Sequence, residues 1–144
     1  MKTLFMDFDG VLHDELAVYP EWKADRILIE PRCFCFVGEL AAVLDGHAVD
    51  IVVHSDWRLG RFTHDEMRTF LRTLGSRFRG TTVAKLRFES IRQYVAEHGI
   101  TDYRILDDTP QLFPADLPAL IACDPNKGVS DAWVQEQLRR WLAS

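Results

Sequence analysis

Two carboxylates, Asp7 and Asp9, stand one residue apart where an apolar run, Thr3 to Phe8, closes on Gly10. A short, nearly uninterrupted apolar run reads as a strand buried on both faces and ended by a tight turn. Strands of that kind belong to parallel sheets covered by helices. The pattern recurs: Val49 to Val53 leads into His54-Ser55-Asp56, Tyr103 to Leu106 into Asp107-Asp108, and Leu120 to Cys123 into Asp124-Pro125. Helical spacing separates these runs. It is carried by Phe34, Val37, Leu40, Ala41 and Leu44 before Asp45-Gly46, then by Met67, Phe70, Leu71 and Leu74 in a helix starting at Thr63 or His64, then by Ile91, Tyr94 and Val95 between Phe88 and His98. Ser130 is the expected cap of a final helix with Trp133, Val134, Leu138 and Trp141 inward. Ser76 to Thr82, with Arg77, Arg79 and Gly80, reads as loop. Strands alternating with helices predict the α/β class, a three-layer α/β/α arrangement around a mostly parallel sheet. Ligands bind such sheets at the carboxyl ends of the strands, where the Asp and Ser residues fall.

With 144 residues, 47% of them hydrophobic, the expectation is a single domain over 1–144 with no room for a separate substrate domain. The segment 10–30, irregular and holding Pro20, Trp22 and Ile27-Leu28-Ile29, is a candidate flap, read as a loop or small β-hairpin. A formal net charge of −5 argues against a global field that recruits nucleic acid and leaves room for a local basic patch. Cys33, Cys35 and Cys123 are odd in number, and their spacing is unlike that of zinc or thioredoxin motifs, so they are expected as reduced, mostly buried thiols. An acidic residue at position 7 comes too early for a signal peptide, and no run is long enough to span a bilayer. The expectation is a cytoplasmic protein with no membrane partner.

Two anions buried side by side are costly unless a cation neutralises them. A hard cation with oxygen ligands, most simply Mg²⁺, suits Asp7 and Asp9, with Asp107-Asp108 completing the shell. His54, Ser55 and Asp56 point in different directions from a strand end and do not make a hydrolytic triad, so His54 is expected to be packed or structural. Trp57-Arg58, Arg61 and Phe62, with Arg77 and Arg79 as an extended rim, are the aromatic and guanidinium groups available beside the site. Such a mixture suits a nucleotide or polynucleotide end, and the same residues also read as an amphipathic helix with exposed arginines and a buried Trp, so they do not set the substrate.

The wording Asp7-Phe8-Asp9-Gly10-Val11-Leu12, then Ile51-Val52-Val53-His54-Ser55, then Ile105-Leu106-Asp107-Asp108, resembles the three best-marked motifs of the haloacid dehalogenase (HAD) superfamily, across most of the chain. The finer pattern, His54-Ser55-Asp56-Trp57-Arg58 and Leu112-Phe113-Pro114, resembles a small capless branch related to HAD domains of bacterial RNA-repair proteins. The resemblance implies a Rossmann-like HAD fold and a Mg²⁺-dependent phosphomonoesterase working through an aspartyl-phosphate. Asp7 would be the nucleophile and Asp9 the acid and base. Ser55 would bind a phosphoryl oxygen, with Gly10 and Arg58 on the substrate side. Lys85 is favoured as the cation at the start of the third helix, and Arg87 competes with it. Asp7, Asp9 through its backbone carbonyl, and Asp108 would hold the metal, with the opposite assignment to Asp107 left open. Positions 10–54 lie between Asp9 and Ser55, and 56–84 between Ser55 and Lys85, leaving no room for a large cap at either insertion point. By the resemblance, a capless member leaves its site open to large substrates such as nucleic-acid ends or phosphoproteins, with a nucleotide or nucleic-acid-end phosphate the preferred expectation. A second class of reading is a noncatalytic phosphate-binding or regulatory module on the same fold. A protein partner and the oligomeric state are not readable from the residues.

Overall fold

A computed structural model of the chain describes residues 1–16, 31–59 and 62–144, together with the backbone of 21–23 and 26–28. The elements in chain order are β1 (Lys2–Met6), β2 (Glu21–Lys23), β3 (Arg26–Leu28), α1 (Val37–Leu44), β4 (Val49–Val53), α2 (His64–Phe70), β5 (Phe78–Thr81), α3 (Arg87–His98), β6 (Tyr103–Asp107), β7 (Leu120–Ala122) and α4 (Ala132–Ala143). Five strands form one sheet in the order β5-β4-β1-β6-β7, every pair parallel. β2 and β3 pair antiparallel, with Trp22 opposite Ile27, as the hairpin expected within 10–30. Residues 17–20, 24, 25, 29 and 30 of that segment lie outside the described residues.

β1 is central because its residues can be buried on both sides. Leu4 and Met6 face one layer, with Ile51, Val53, Leu40 and Leu138, while Phe5 faces the other with Val52, Ile91 and Ile105. The period-2 alternation of a strand thus feeds two cores, one under α1 and α4 and one under α3. From β1 the chain steps outward to β4 and β5, then returns to β6 on the other flank of β1. The strand order therefore reverses at the β1/β6 boundary. Loops leave in opposite directions there and open a crevice at the carboxyl ends. No helix among the described residues is long and apolar enough to cross a membrane.

Several local expectations need correction. Phe78–Thr81 is a strand and not a loop: an edge strand tolerates polar residues, and the Arg79 Nε to Asp50 Oδ1 ion pair at 3.0 Å spans its one neighbour. The final helix is capped by Asp131, whose side chain accepts from the Trp133 N–H, while the Ser130 hydroxyl donates to the Lys127 carbonyl. Trp133 is 54% exposed, and Val134, Leu138, Trp141 and Leu142 form the buried stripe. α1 begins at Val37, because Phe34 has φ 61° and breaks any earlier helical path. α2 ends at Phe70 and gives way to a 3-10 turn over Arg72–Arg77. Its start agrees with the sequence, Thr63 and Glu66 forming a reciprocal capping box. None of the three cysteines forms a disulfide among the described residues; Cys33 and Cys123 are buried and Cys35 is exposed.

Candidate active site

The crevice at the β1/β6 boundary gathers the acidic residues. Asp7 follows β1 and continues the ladder, its N–H donating to the Leu106 carbonyl at 3.1 Å, which turns its side chain toward the end of β6. Asp107 ends β6 and Asp108 follows it. Asp7, Asp107 and Asp108 each bring one carboxylate oxygen within 4.8 Å of the others. Asp7 and Asp107 are buried and Asp108 is half-buried.

Their surroundings differ. Asp7 Oδ1 accepts from the Phe8 N–H at 2.8 Å and Oδ2 from Arg87 Nη1 at 2.9 Å. Burial, then the Asp107 charge, hold its carboxyl well above the ordinary value of 3.8, against the pull of Arg87. Asp107 accepts from His54 Nε2 at 2.8 Å, from Arg87 Nη1 at 2.9 Å and from the Thr109 N–H at 2.8 Å. Burial pushes its carboxyl up, but those three donors outweigh burial and hold it below the usual range. Asp108 accepts from the Thr109 hydroxyl at 3.0 Å, and burial raises its carboxyl.

Gly10 makes this packing possible. Its φ of +72° suits glycine, and a Cβ there would clash with the Asp108 side chain. The turn after β1 and the end of β6 can approach only with no side chain between them. One guanidinium shared among these carboxylates leaves Asp7 raised, so the cluster has room for a further positive charge. All its donor atoms are carboxylate oxygens, a set that suits a hard divalent cation.

Arg87, the first residue of α3, supplies the positive charge already present. Its Nη2 also reaches Asp56 Oδ2 at 3.3 Å. Lys85, favoured by its spacing, is exposed and forms no ion pair among the described residues. The loop before α3 turns it outward, and two residues later the chain faces the carboxylates. Ser55 is buried at the end of β4, its Oγ accepting from the Trp57 N–H at 3.3 Å.

Arg58 also departs from expectation. Its side chain is 1% exposed and donates to the carbonyls of His54 at 2.6 Å, Ser55 at 3.0 Å and Ala84 at 2.6 Å. Its Nη atoms tie the loop after β4 to the loop before α3. Arg58→Met is expected to cost about 2–3 kcal/mol in urea unfolding, because buried carbonyls lose a charged donor. Arg77 binds the carbonyls of His47 and Leu44 at the opposite end of β4, and Arg79 pairs with Asp50, so neither extends the rim. Arg61 lies outside the described residues.

Asp9 stands apart from the three-carboxylate group. Its Oδ1 meets His13 Nε2 at 2.7 Å and its Oδ2 accepts from Trp57 Nε1 at 3.1 Å. Neither His13 nor the polar end of Trp57 was expected here. A histidine four residues after Asp9, in the same turn, was the available signal. His54, expected as packed, is fully buried and hydrogen-bonded to Asp107, and burial lowers its pKa from 6.5.

No curated protein and no solved structure matches this chain. Residues 3–134 match the family model described as the HAD domain in Swiss Army Knife RNA repair proteins, and by that match, over most of its length, the chain belongs to that family.

Proposed function

We propose that this chain is a Mg²⁺-dependent phosphomonoesterase with Asp7 as nucleophile. The observation that carries the reading is the pairing of a buried carboxylate at the end of β1 with Arg87 and the Asp107–Asp108 pair in one crevice. Asp7, Asp108 and the Asp9 carbonyl would hold the metal, which when bound supplies positive charge to the phosphoryl oxygens and to Asp7. Asp107, already held by three donors, orients the others. Arg87 neutralises charge on the transferring group, and the Ser55 hydroxyl donates to a phosphoryl oxygen. Attack by Asp7 yields an aspartyl-phosphate that water then hydrolyses.

A nucleotide or nucleic-acid end is the proposed substrate class. A cavity of about 360 Å³ beside Arg87 is lined by Asp56, Lys85, Leu86, Phe88, Glu89 and Leu112. Leu86 and Leu112 are 62% and 52% exposed, apolar surface that suits a base, while Lys85 suits a second phosphate. Lys85 thus moves from the reacting phosphate to the leaving group.

Phosphate release from an aryl phosphate, measured with Mg²⁺ and with chelator, tests the reaction. Metal-dependent release is expected, followed by preference for phosphorylated nucleotides or oligonucleotides. No release from the folded, Mg²⁺-loaded protein on any of these esters would favour a noncatalytic phosphate-binding module.

A further inference from the structure

His13 is fully buried and lies outside the acidic cluster, yet it is held in place from several sides. The turn after β1 folds back on itself: the N–H groups of Val11 and Leu12 donate to the Phe8 carbonyl at 3.1 and 2.9 Å, and Gly10 donates to the His13 carbonyl at 2.9 Å. This returns position 13 to the side of Asp9. The Phe34 N–H donates to His13 Nδ1 at 3.1 Å. A ring nitrogen that accepts from an amide carries no hydrogen, so the ring proton sits on Nε2 and is donated to Asp9 Oδ1. Phe34 packs edge-on against the ring at 5.0 Å between centroids and Trp57 lies at 5.6 Å, so the imidazole has little freedom to turn. The Trp57 indole donates to the second carboxylate oxygen.

We propose that His13, assisted by Trp57, is a positioning residue that fixes the Asp9 carboxyl for proton transfer; this rests on the phosphatase reading above. In the first step an Asp7 oxygen bonds to phosphorus while the bond from phosphorus to the leaving oxygen breaks. The electron pair stays on the leaving oxygen, which takes the proton of the Asp9 carboxyl. In the second step a water oxygen bonds to phosphorus and its proton passes to the Asp9 carboxylate. The bond to Asp7 breaks, and inorganic phosphate and the Asp7 carboxylate are restored. One carboxyl must serve two oxygens in turn, so its rotation about the Cβ–Cγ bond matters. Two donors on two oxygens stop that rotation. A carboxylate oxygen has two lone-pair sites, so holding a donor does not prevent it from carrying the proton. Lost positioning slows the chemical step more than binding.

The test compares wild type with His13→Phe, which keeps a ring, and His13→Gln, which keeps an amide donor within reach. Each acts on an aryl phosphate, whose leaving oxygen needs little protonation, and on an alkyl phosphate, which needs it. In a single turnover, which reads only the first step, His13→Phe is expected to slow release of the alkyl leaving group about 100-fold and of the aryl one less than about fivefold, with KM changed less than about twofold. His13→Gln is expected to recover about tenfold on the alkyl ester. Equal losses on both esters, a change confined to KM, or no loss would overturn the proposal. Nitrogen-15 spectra of folded protein supply a reading independent of turnover: the His13 ring and Trp57 indole N–H signals are expected to move in Asp9→Asn. Unmoved signals would also overturn it. If wild type releases no phosphate while those signals move, the failure lies in the phosphatase reading, and the catalytic purpose of His13 falls with it.

Discussion

Asp7→Asn is expected to reduce phosphate release by about 10⁴-fold or more while making the metal-free protein more stable. The first effect follows from chemistry: an amide oxygen at position 7 cannot form the acyl-phosphate bond, though it occupies nearly the same volume. The second follows from the environment of the carboxyl. Burial and the Asp107 charge hold it well above 3.8 in the folded chain. Below 3.8 both folded and unfolded chains keep the proton, and Asp7 has no net effect. As pH rises past 3.8 the unfolded chain ionises first, so stability falls until the folded carboxyl also ionises, and the penalty is constant above that. At neutral pH the asparagine avoids that penalty. A rise in melting temperature of roughly 2–4 °C in chelator, absent at pH 3, is the expected result. Mg²⁺ should reverse the order. Wild type is expected to gain about 2.7 kcal/mol when Mg²⁺ is a hundredfold above its Kd, and Asp7→Asn should gain much less. A variant that turned over normally would remove Asp7 from the nucleophile's role.

Arg87→Met carries the second large effect. Arg87 pairs with Asp7, Asp107 and Asp56, and its side chain is only 14% exposed. Removing it leaves two buried carboxylates facing each other, so unfolding in chelator is expected to lose about 3 kcal/mol. Turnover should fall about 10²- to 10³-fold, because a preorganised positive charge on the transferring group is gone. Saturating Mg²⁺ should return much of the stability and little of the rate, since a cation among the aspartates neutralises them without reaching the position of the guanidinium. Lys85→Met, at an exposed residue, is expected to leave stability unchanged and aryl phosphate turnover within about threefold. The reverse pattern, with Lys85 essential and Arg87 dispensable, would restore the assignment that spacing favoured.

Arg58 is the counterexample to reading charge as function. In the sequence it stands beside Ser55 and Trp57 and looks like a phosphate ligand. In the fold its Nη atoms are spent on backbone carbonyls, and Arg77 is spent the same way at the far end of the same strand. An arginine's role depends on which carbonyls lie within about 3 Å of it, and that is a property of loop paths.

What the sequence alone determined was whatever depends on local pattern. Apolar runs ending in Asp7, Ser55 and Asp107-Asp108 make strands, and parallel strands place their ends on one side of the sheet. The acidic crevice was therefore legible, as were most of the helices, the hairpin and the glycine turn at Gly10. Only the tertiary structure decided which cation faces the carboxylates, because Lys85 and Arg87 differ by two positions and the entry path into α3 chooses between them. It alone decided that Phe78–Thr81 joins the sheet, since an edge strand needs little apolar pattern when a neighbour supplies its hydrogen bonds. It alone brought His13 and the Trp57 indole onto Asp9. That meeting joins one turn to a residue 48 positions away, and no local periodicity records a contact made only when the sheet assembles.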